Sequence, residues 1–458
     1  MVWGVKRIAR TLGLGVLTFA AGFAAHALLG RADAAPSSQA ASPYAAMGQL
    51  GRVLALVENE YVDPVERARL VEGAVKGMVG ELDPHSAYMP AQDFKIFQSD
   101  TEGKFGGVGV EVDVRGDAVT VLAPIEGSPA ERAGIKPGDK IVAVDGEDAR
   151  NIGFEKMVRR MRGVPGTHVK LTVRRDGQKE PVTFDLVREV IKVSSVAGKL
   201  LDGNIAYLRI KQFQERTHEE LLQSLAKLRL QARGAPLAGV LVDLRNDPGG
   251  LVDEASAVAD ELLASGTIYT TRHRGQITDE VSAHAGGALV DVPAVVLVNE
   301  WSASASELVA GALQDNARAV VVGTNTFGKG SVQTILELPG GAGIRLTTSR
   351  YYTPSGHAIQ ADGVHPDVTI ESDRVTSNKL PSIREKDLEG ALPGEGGGAA
   401  RDGGVVVVAP PAGDGGVGDV EATSVRDIAS DPTKGTDFTL KVAYQLVRGP
   451  LAGKTRVR

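Results

Sequence analysis

Two short apolar runs, each ending in a turn of small and polar residues, constrain the fold of this chain most. Ala294–Val298 is long enough for a buried strand and too short for a buried helix. It is followed by the serine-rich residues 302–307 and by residues 308–314, which have helical composition. A second strand-like run at 319–322 leads into a glycine-rich loop at 323–330. This order of strand, helix and strand predicts an α/β core.

Ser304 lies at the predicted junction between the first strand and the helix. There, the serine hydroxyl, the free N–H groups at the start of the helix and the positive end of the helix dipole converge. A purely structural role is also open, since Ser304 and Glu307 have the spacing of a capping box. Lys329, between two glycines of the later loop, is by itself typical of a surface lysine. The residues taken singly leave both roles open.

Together, the SASASE segment around Ser304 and the FGKGSVQ segment around Lys329 resemble the carboxyl-terminal processing peptidases, also called tail-specific proteases. The resemblance runs from about Tyr44 to Asp367 and returns near the C-terminus. These are serine peptidases with a serine–lysine dyad. The resemblance implies Ser304 as nucleophile, Lys329 as general base and Gln333 as the residue that orients the lysine. The chemistry agrees, because a lysine serves as base near neutral pH only where its pKa is depressed.

A predicted buried strand ends in the turn RNDPGG at residues 245–250. With Asp247 before the proline, this turn resembles the family's DLR-x-N-x-GG motif. Its glycines allow the backbone to approach a substrate carbonyl closely. The resemblance implies an oxyanion hole made by the N–H groups of Gly250 and Ala305, with Gly249 as the near alternative. An ordinary turn at the end of a strand is the structural alternative.

The glycine-rich loop before Lys329 also matches the first seven positions of a phosphate-binding P-loop. The eighth position of that motif needs a serine or threonine to hold magnesium, and here it is Gly330. The chain has no cysteine, which removes disulfides, thiolate metal sites and a cysteine nucleophile. We therefore expect no nucleotide, no cofactor and no metal in the site.

Histidines offer a second mechanism. His357, His365 and Asp367 have the residue types of a Ser-His-Asp triad, but both histidines lie in turn-rich sequence and the lysine already accounts for the base. His85 follows Asp83 in a segment of turn composition, which favours a structural role.

Residues 104–187 are predicted as a small β-rich domain. Its glycine loop and the segment SPAERAGIKPGDKIVAVDG at 128–146 resemble a PDZ domain. The resemblance implies that Gly107, Val108 and Gly109 donate backbone N–H groups to a terminal carboxylate while the peptide adds as a strand.

The residues flanking this loop, Phe105 and Val110, are apolar, as is Val108 within it. We therefore expect the partners to be protein substrates with apolar C-terminal tails. A PDZ fold kept as a spacer or lid is the alternative.

The N-terminus has the pattern of an export segment. Three basic side chains precede it: Lys6, Arg7 and Arg10. An uncharged, mostly apolar run at 12–29 and an A-x-A cleavage site at 32–34 follow, so residues 1–34 are predicted as a signal peptide or membrane anchor. The expected location is periplasmic or the outer face of the cytoplasmic membrane, with membrane association through residues 11–30. The net charge of −6 gives no indication of a nucleic-acid partner.

The predicted fold is an α/β catalytic core of ClpP/crotonase-like class, with a small PDZ domain inserted in it or preceding it. The predicted boundaries are a signal peptide or anchor at 1–34, a helical N-terminal region at 35–103, the PDZ domain at 104–187, the serine peptidase core at 188–373, a flexible glycine- and proline-rich linker at 374–432 and a helical tail at 433–458. Similar tails pack on the body or support oligomers, so a homo-oligomer is among the expected partners.

The predicted function is that of an exported serine endopeptidase that cleaves proteins near their C-termini. Two other classes stay open. A non-catalytic PDZ scaffold or chaperone would keep the tail-binding features and lose the dyad. An enoyl-CoA hydratase-like enzyme would share the core, although the PDZ domain and the export segment speak against it.

Overall fold

The computed structural model describes residues 43–115, 118–370, 383–395, 406–408 and 425–449. The predicted signal peptide or anchor at 1–34 lies outside the described residues, as does much of the predicted linker. Among the residues that are described, no helix is long and apolar enough to cross a membrane. The chain divides into two compact units, Met1–Val75 and Lys76–Arg458.

The described part of the first unit is helical. Helix α1 spans Pro43–Glu60, and helix α2, at Arg67–Gly80, begins in this unit and ends in the second. An exposed ion pair at 2.6 Å joins Arg67 to Glu58, at the end of α1. Such a pair contributes little to stability, because water screens both charges.

The second unit contains eight more helices and twenty strands among its described residues. The helices are α3 (Ala91–Thr101), α4 (Pro129–Arg132), α5 (Ala149–Ile152), α6 (Phe154–Met161), α7 (Thr217–Gln231), α8 (Val252–Asp260), α9 (Ala305–Asp315) and α10 (Phe438–Arg448). The first ten strands are β1 (Ala87–Met89), β2 (Lys104–Gly107), β3 (Val110–Arg115), β4 (Ala118–Pro124), β5 (Lys140–Val144), β6 (Glu147–Asp148), β7 (His168–Arg174), β8 (Val182–Val187), β9 (Glu189–Lys192) and β10 (Val196–Leu201). The others are β11 (Ile205–Ile210), β12 (Gly239–Asp243), β13 (Thr267–His273), β14 (Gln276–Ser282), β15 (Ala294–Val298), β16 (Ala319–Gly323), β17 (Ser331–Glu337), β18 (Gly343–Tyr352), β19 (Val368–Ile370) and β20 (Val406–Val408).

Strands β3 to β8 form the predicted β-rich domain. They make a six-stranded antiparallel sheet in the order β3-β4-β5-β7-β8, with β6 paired to β5. Alternate residues of these strands and the buried methionines of α6 fill one core. Strand β3 has a partner on one side only, so it is an edge strand of this sheet.

A second sheet of seven strands is the centre of the α/β core, in the order β10-β11-β12-β15-β16-β19-β20. Within this sheet β11, β12, β15, β16, β19 and β20 run parallel, and only β10 is antiparallel. Successive side chains of a strand point to opposite faces, so this sheet has two cores. On one face, Val240 and Val296 pack with α7, α8 and α9. On the other, Leu241 and Val295 pack with α10. The prediction of a mixed α/β core with a β-rich domain is confirmed.

The C-terminal helix α10 is held to the end of β12 by a buried charge cluster. Arg245 donates to Asp243 at 2.7 Å and to Asp437 at 2.9 Å, and all three side chains are buried. Asp437 also accepts the N–H of Leu440 at 2.8 Å and so caps α10. Helix α10 therefore contacts the core at Arg245, the first residue of the RNDPGG turn.

A third sheet brings the turn at residues 83–86 close to the glycine-rich loop at 323–330, called the lysine loop from here on. Strand β18 pairs with β17, β1 and β13, and β13 pairs with β14. In the β17–β18 pair, Gln333 lies opposite Thr347. Residues 383–395, which belong to the segment predicted as a flexible linker, pack against the lysine loop. Strand β20, from the same predicted linker, pairs with β19.

Candidate active site

Ser304 lies directly before α9, and its backbone has a conformation that residues other than glycine rarely adopt. Its φ and ψ angles are 56° and −114°, and the residue is 7% exposed. Strain of this kind costs about 1–3 kcal/mol and persists only where the surroundings enforce it. Buried strand β15 and α9, which is buried over residues 305–313, supply that constraint on either side of the turn.

The carboxylate of Glu307 joins the Ser304 turn to the lysine loop. Its Oε2 atom accepts the backbone N–H of Ser304 and that of Lys329, each at 2.8 Å. Its Oε1 atom accepts the N–H of Gly328 at 2.7 Å and the hydroxyl of Thr326. One oxygen atom therefore fixes the backbone of both predicted dyad residues side by side.

Glu307 is completely buried, and this burial raises its pKa to about 7. The hydrogen bonds from Thr326 and from the N–H groups of Ser304, Gly328 and Lys329 act in the opposite direction, because all of them favour the charged form. A carboxylate can accept all four, whereas a neutral amide has only one oxygen. Glu307 thus makes the bond to the Ser304 backbone that the capping-box spacing indicated. The same carboxylate also anchors the lysine loop.

The side chain of Lys329 is oriented by Gln333. The Nζ atom donates to Gln333 Oε1 at 2.7 Å. Burial, together with the positive charge of Arg345, lowers the pKa of Lys329 to about 8. The carboxylates of Glu385, Glu307 and Asp83 partly oppose this. A lysine with this pKa is neutral often enough near neutral pH to take up a proton.

The RNDPGG turn packs against Ser304. A Cβ atom on Gly249 would lie 2.9 Å from the Cβ of Ser304, and φ at Gly249 is 93°, so only glycine fits. The N–H of Gly249 donates to Asp247 Oδ1 at 2.8 Å. Among the described residues, the N–H groups of Gly250 and Ala305 have no protein acceptor. The N–H of Gly249, by contrast, is already engaged within the turn.

Asp247 is a buried carboxyl that the sequence reading did not assign. Burial raises its pKa to about 8, although the Gly249 N–H acts to lower it. Its Oδ2 atom has no hydrogen-bond partner in the described residues. Its backbone oxygen accepts the N–H of Ala303 at 3.0 Å and the hydroxyl of Ser306 at 3.0 Å. Asp247 thus ties the RNDPGG turn to both sides of Ser304.

His85 contacts the segment at 383–395. It is paired at 2.7 Å with Glu385 Oε2, and Glu385 is fully buried. Glu385 also accepts from Gln360 at 2.9 Å, and Gln360 in turn accepts the N–H of Gly330 at 3.0 Å. The structural role expected for His85 is thus a contact to the segment that supports the lysine loop.

The two histidines of the alternative triad, His357 and His365, both contact Asp362. The Nε2 atoms of His357 and His365 lie 3.3 Å and 3.0 Å from its carboxylate. Asp367 accepts the N–H of Val321 at 2.8 Å. These contacts assemble no triad with Ser304.

The hydrogen bonds of the lysine loop also speak against a P-loop. In a P-loop, free backbone N–H groups surround a phosphate. Here the N–H groups of Gly328, Lys329 and Gly330 already donate to the side chains of Glu307 and Gln360.

The predicted carboxylate-binding loop connects β2 to edge strand β3. Val108 is 1% exposed and belongs to the core of the β-rich domain, so its side chain is not available to a ligand. The expectation that the Val108 side chain contributes to an apolar subsite is therefore wrong. A Cβ atom on Gly109 would lie 2.2 Å from the Cβ of Ser128, which explains the glycine.

The fold and this site define a serine-type peptidase with a preceding peptide-binding domain. A family model described as peptidase family S41 matches residues 204–370, and a PDZ-domain model matches 120–175. A third, described as the N-terminal domain of the activating protease CtpB, matches 21–93.

The relatives agree with these matches. The chain is 38% identical over 384 residues to a carboxy-terminal-processing protease of Bartonella bacilliformis, covering 83% of this chain and 88% of that protein. It is 37% identical to a carboxyl-terminal-processing protease of Synechocystis sp., covering 74% and 80%. The solved structure of a photosystem II D1 C-terminal processing protease is 30% identical and covers 75% of this chain and 92% of that chain, with a TM-score of 0.45.

The chain belongs to the carboxyl-terminal-processing proteases of peptidase family S41. The predicted family, the predicted serine-type peptidase and the PDZ domain are confirmed. The relatives support this function over a non-catalytic scaffold.

Proposed function

We propose that Ser304 is the nucleophile of an endopeptidase, that Lys329 is its general base and that Gln333 orients the lysine. The observation that carries this proposal is the shared oxygen of Glu307, which accepts the N–H groups of Ser304 and Lys329 at 2.8 Å each. The strained backbone of Ser304 and the depressed pKa of Lys329 support the same roles.

The reaction proceeds by acyl transfer. The neutral amine of Lys329 takes the proton from the Ser304 hydroxyl as the oxygen attacks the scissile carbonyl. Collapse of the tetrahedral intermediate breaks the C–N bond, and the lysine returns the proton to the leaving amine. Water, activated by the same amine, then releases the acyl group from Ser304.

Backbone N–H groups of Gly250 and Ala305 hold the oxyanion. The N–H of Gly249 already donates to Asp247, which supports Gly250 as the donor from this turn. Ala305 is the first residue of α9, so its N–H is unused within the helix and the dipole favours negative charge there. Removing one such donor typically costs about 10²–10³ in kcat.

Trapping the acyl-enzyme tests this mechanism. A peptide ester is mixed with the enzyme, turnover is stopped with acid, and the protein mass is measured. The acyl group should be found on the peptide that contains Ser304 and be absent from Ser304→Ala. An adduct on another residue, or none under conditions of rapid ester turnover, contradicts the assignment.

We propose that the PDZ domain binds substrate tails through Gly107, Val108 and Gly109, with apolar C-terminal side chains preferred. The free edge of β3 supports this, since a peptide can add to it as a further strand. Amidating the C-terminus of a good peptide substrate should weaken binding by about 1.5–3 kcal/mol, the strength of hydrogen bonds to a charged group. Equal kcat/KM for free and amidated peptide means that the domain is a spacer or lid.

The remaining features complete the proposal. Three basic residues followed by the apolar run at 12–29 support export, with the peptidase in the periplasm or anchored to the outer face of the membrane. The six parallel strands of the seven-stranded sheet, with α7, α8 and α9 on one face, support a ClpP/crotonase-like core. Cell fractionation tests the location, and light scattering of the purified protein tests for a homo-oligomer.

A further inference from the structure

We propose that Asp83 and Thr347 are positioning residues for the catalytic lysine, because they force the amide of Gln333 into the one orientation that leaves the lysine free to act as base. The inference rests on the proposed roles of Lys329 and Gln333 and adds a support from the N-terminal side of the core. That support is the Asp83–Ser86 turn, which directly precedes β1.

The four residues form a continuous chain of hydrogen bonds. Lys329 Nζ donates to Gln333 Oε1 at 2.7 Å, and Gln333 Nε2 donates to Thr347 Oγ1 at 3.2 Å. Thr347 Oγ1 donates to Asp83 Oδ1 at 3.1 Å. Gln333 and Thr347 face each other across β17 and β18, so the middle link is built into the strand register.

The direction of these bonds follows from the carboxylate at the end. Asp83 is 7% exposed, and burial alone would raise its pKa. The hydroxyls of Ser86 and Thr347 and two backbone N–H groups instead lower the pKa below its ordinary value. An ionised carboxylate only accepts, so the single hydroxyl proton of Thr347 must point to Asp83. Thr347 can then only accept from Gln333, which turns Nε2 towards Thr347 and Oε1 towards the lysine.

This orientation matters for the chemistry of the lysine. A neutral amine has two N–H groups and one lone pair, and the lone pair must be free to take the Ser304 proton. When Gln333 presents Oε1, it binds an N–H of Lys329 and leaves the lone pair free. When the amide is flipped, Nε2 donates to that lone pair and occupies it. Ser331 Oγ also accepts from Nε2, at 2.9 Å, but a hydroxyl can donate as well and so does not fix the direction.

The turn itself is rigidly held. Asp83 Oδ1 accepts the N–H groups of His85 and Ser86 at 2.9 Å each, and Asp83 Oδ2 accepts the Ser86 hydroxyl at 2.7 Å. Ser86 Oγ in turn accepts the N–H of Thr347 at 3.0 Å. Four donors therefore place the carboxylate: the N–H groups of His85 and Ser86 and the hydroxyls of Ser86 and Thr347. Its geometry relative to β18 is fixed by them.

Thr347→Val is the direct test, because valine keeps the shape of threonine and removes the hydroxyl. It should lower kcat about tenfold, the factor that one ordinary hydrogen bond permits, and change KM less than about twofold. Thr347→Ser, which keeps the hydroxyl, should restore kcat to within about threefold of wild type. Thr348→Val is the matched control on the same strand, since the Thr348 hydroxyl bonds only Thr334 on an exposed face, at 2.8 Å, and its kcat should be unchanged.

A double-mutant cycle separates positioning from simple structural support. If Thr347 acts through Gln333, adding Thr347→Val to Gln333→Ala should lower kcat by less than about twofold. A loss of the same size in both backgrounds overturns the inference, as does a Thr347→Val enzyme with wild-type kcat. Should the valine variant not fold, Thr347→Ala enters the same cycle. Failure of the proposed function has a different signature, in which Gln333→Ala and Lys329→Ala themselves retain wild-type kcat.

Discussion

Replacing Glu307 with glutamine is the sharpest single perturbation of the site, because it changes one oxygen to an NH2 group without changing the size of the side chain. The wild-type carboxylate accepts from the backbone of Ser304, Lys329 and Gly328 and from the hydroxyl of Thr326. Ser304 and Lys329 donate to one carboxylate oxygen, and Gly328 and Thr326 donate to the other. The amide has a single oxygen, so it can accept from only one of these two pairs. Its NH2 group must face the other.

The less costly arrangement can be worked out from the partners. With NH2 towards Ser304 and Lys329, two backbone N–H groups lose their acceptor. With NH2 towards Thr326 and Gly328, the hydroxyl can turn and accept, so only the Gly328 N–H is left unpaired. A buried N–H without an acceptor costs about 1–3 kcal/mol, so Glu307→Gln should lower the free energy of unfolding by about that amount. The lysine loop should also lose its anchor at Gly328, directly before Lys329, and kcat should fall with it.

Urea unfolding at pH 8, where Glu307 is mostly ionised, measures the stability loss, and peptide hydrolysis measures kcat. Glu131→Gln is the matched control, since Glu131 also accepts a backbone N–H near a helix start, that of Gly127 at 2.7 Å, but is exposed. Its effect should stay within about 0.5 kcal/mol. If the two variants unfold at the same urea concentration with the same kcat, Glu307 does not join the two halves of the site.

Three further predictions concern the buried ionisable residues Lys329, Asp247 and Asp437. The rate kcat/KM should rise through about pH 8, because Lys329 must lose its proton to act as base; a flat profile between pH 6 and 9 contradicts this. Asp247 stays protonated to about pH 8 in the folded state but ionises near pH 4 when unfolded, so it removes stability progressively across that range. Asp247→Asn can keep the Gly249 bond, and its gain in unfolding free energy over wild type should grow between pH 5 and 8, whereas a constant difference contradicts the buried neutral carboxyl. Asp437→Ala should lower the unfolding free energy by about 3–5 kcal/mol, since Arg245 loses one of its buried partners, and a loss below about 1 kcal/mol would mean that α10 is not held by this ion pair.

The sequence was sufficient to predict the strand–helix–strand unit around Ser304, because the apolar runs on either side are short, uncharged and separated by turns. The family resemblance supplied the residues Ser304, Lys329 and Gln333, and the structure connects the last two directly by a hydrogen bond. Local pattern also indicated the bond between Glu307 and the Ser304 backbone, through the capping-box spacing.

The supports of the lysine loop could not be read from the sequence. Glu385, Gln360 and Asp83 are distant from Lys329 along the chain, and each joins the support of the lysine loop only when the chain folds. Asp83 and Ser86 also occur in a composition typical of any turn, so nothing local distinguishes a turn that holds a strand partner from one that does not. Long-range hydrogen bonds of this kind depend on tertiary packing. They produce no periodic pattern and no fixed spacing in the sequence.

The central claim is that Ser304 and Lys329 act as one catalytic unit, and kcat of the two single alanine variants and the double variant tests it most directly. Each single substitution should remove most of the activity, about 10³-fold or more, and the double variant should be no slower than either, because neither residue works without the other. Lys329→Arg should be as inactive as Lys329→Ala, since an arginine does not lose its proton near neutral pH. Losses that multiply in the double variant, or substantial turnover by Lys329→Arg, would contradict lysine as the base.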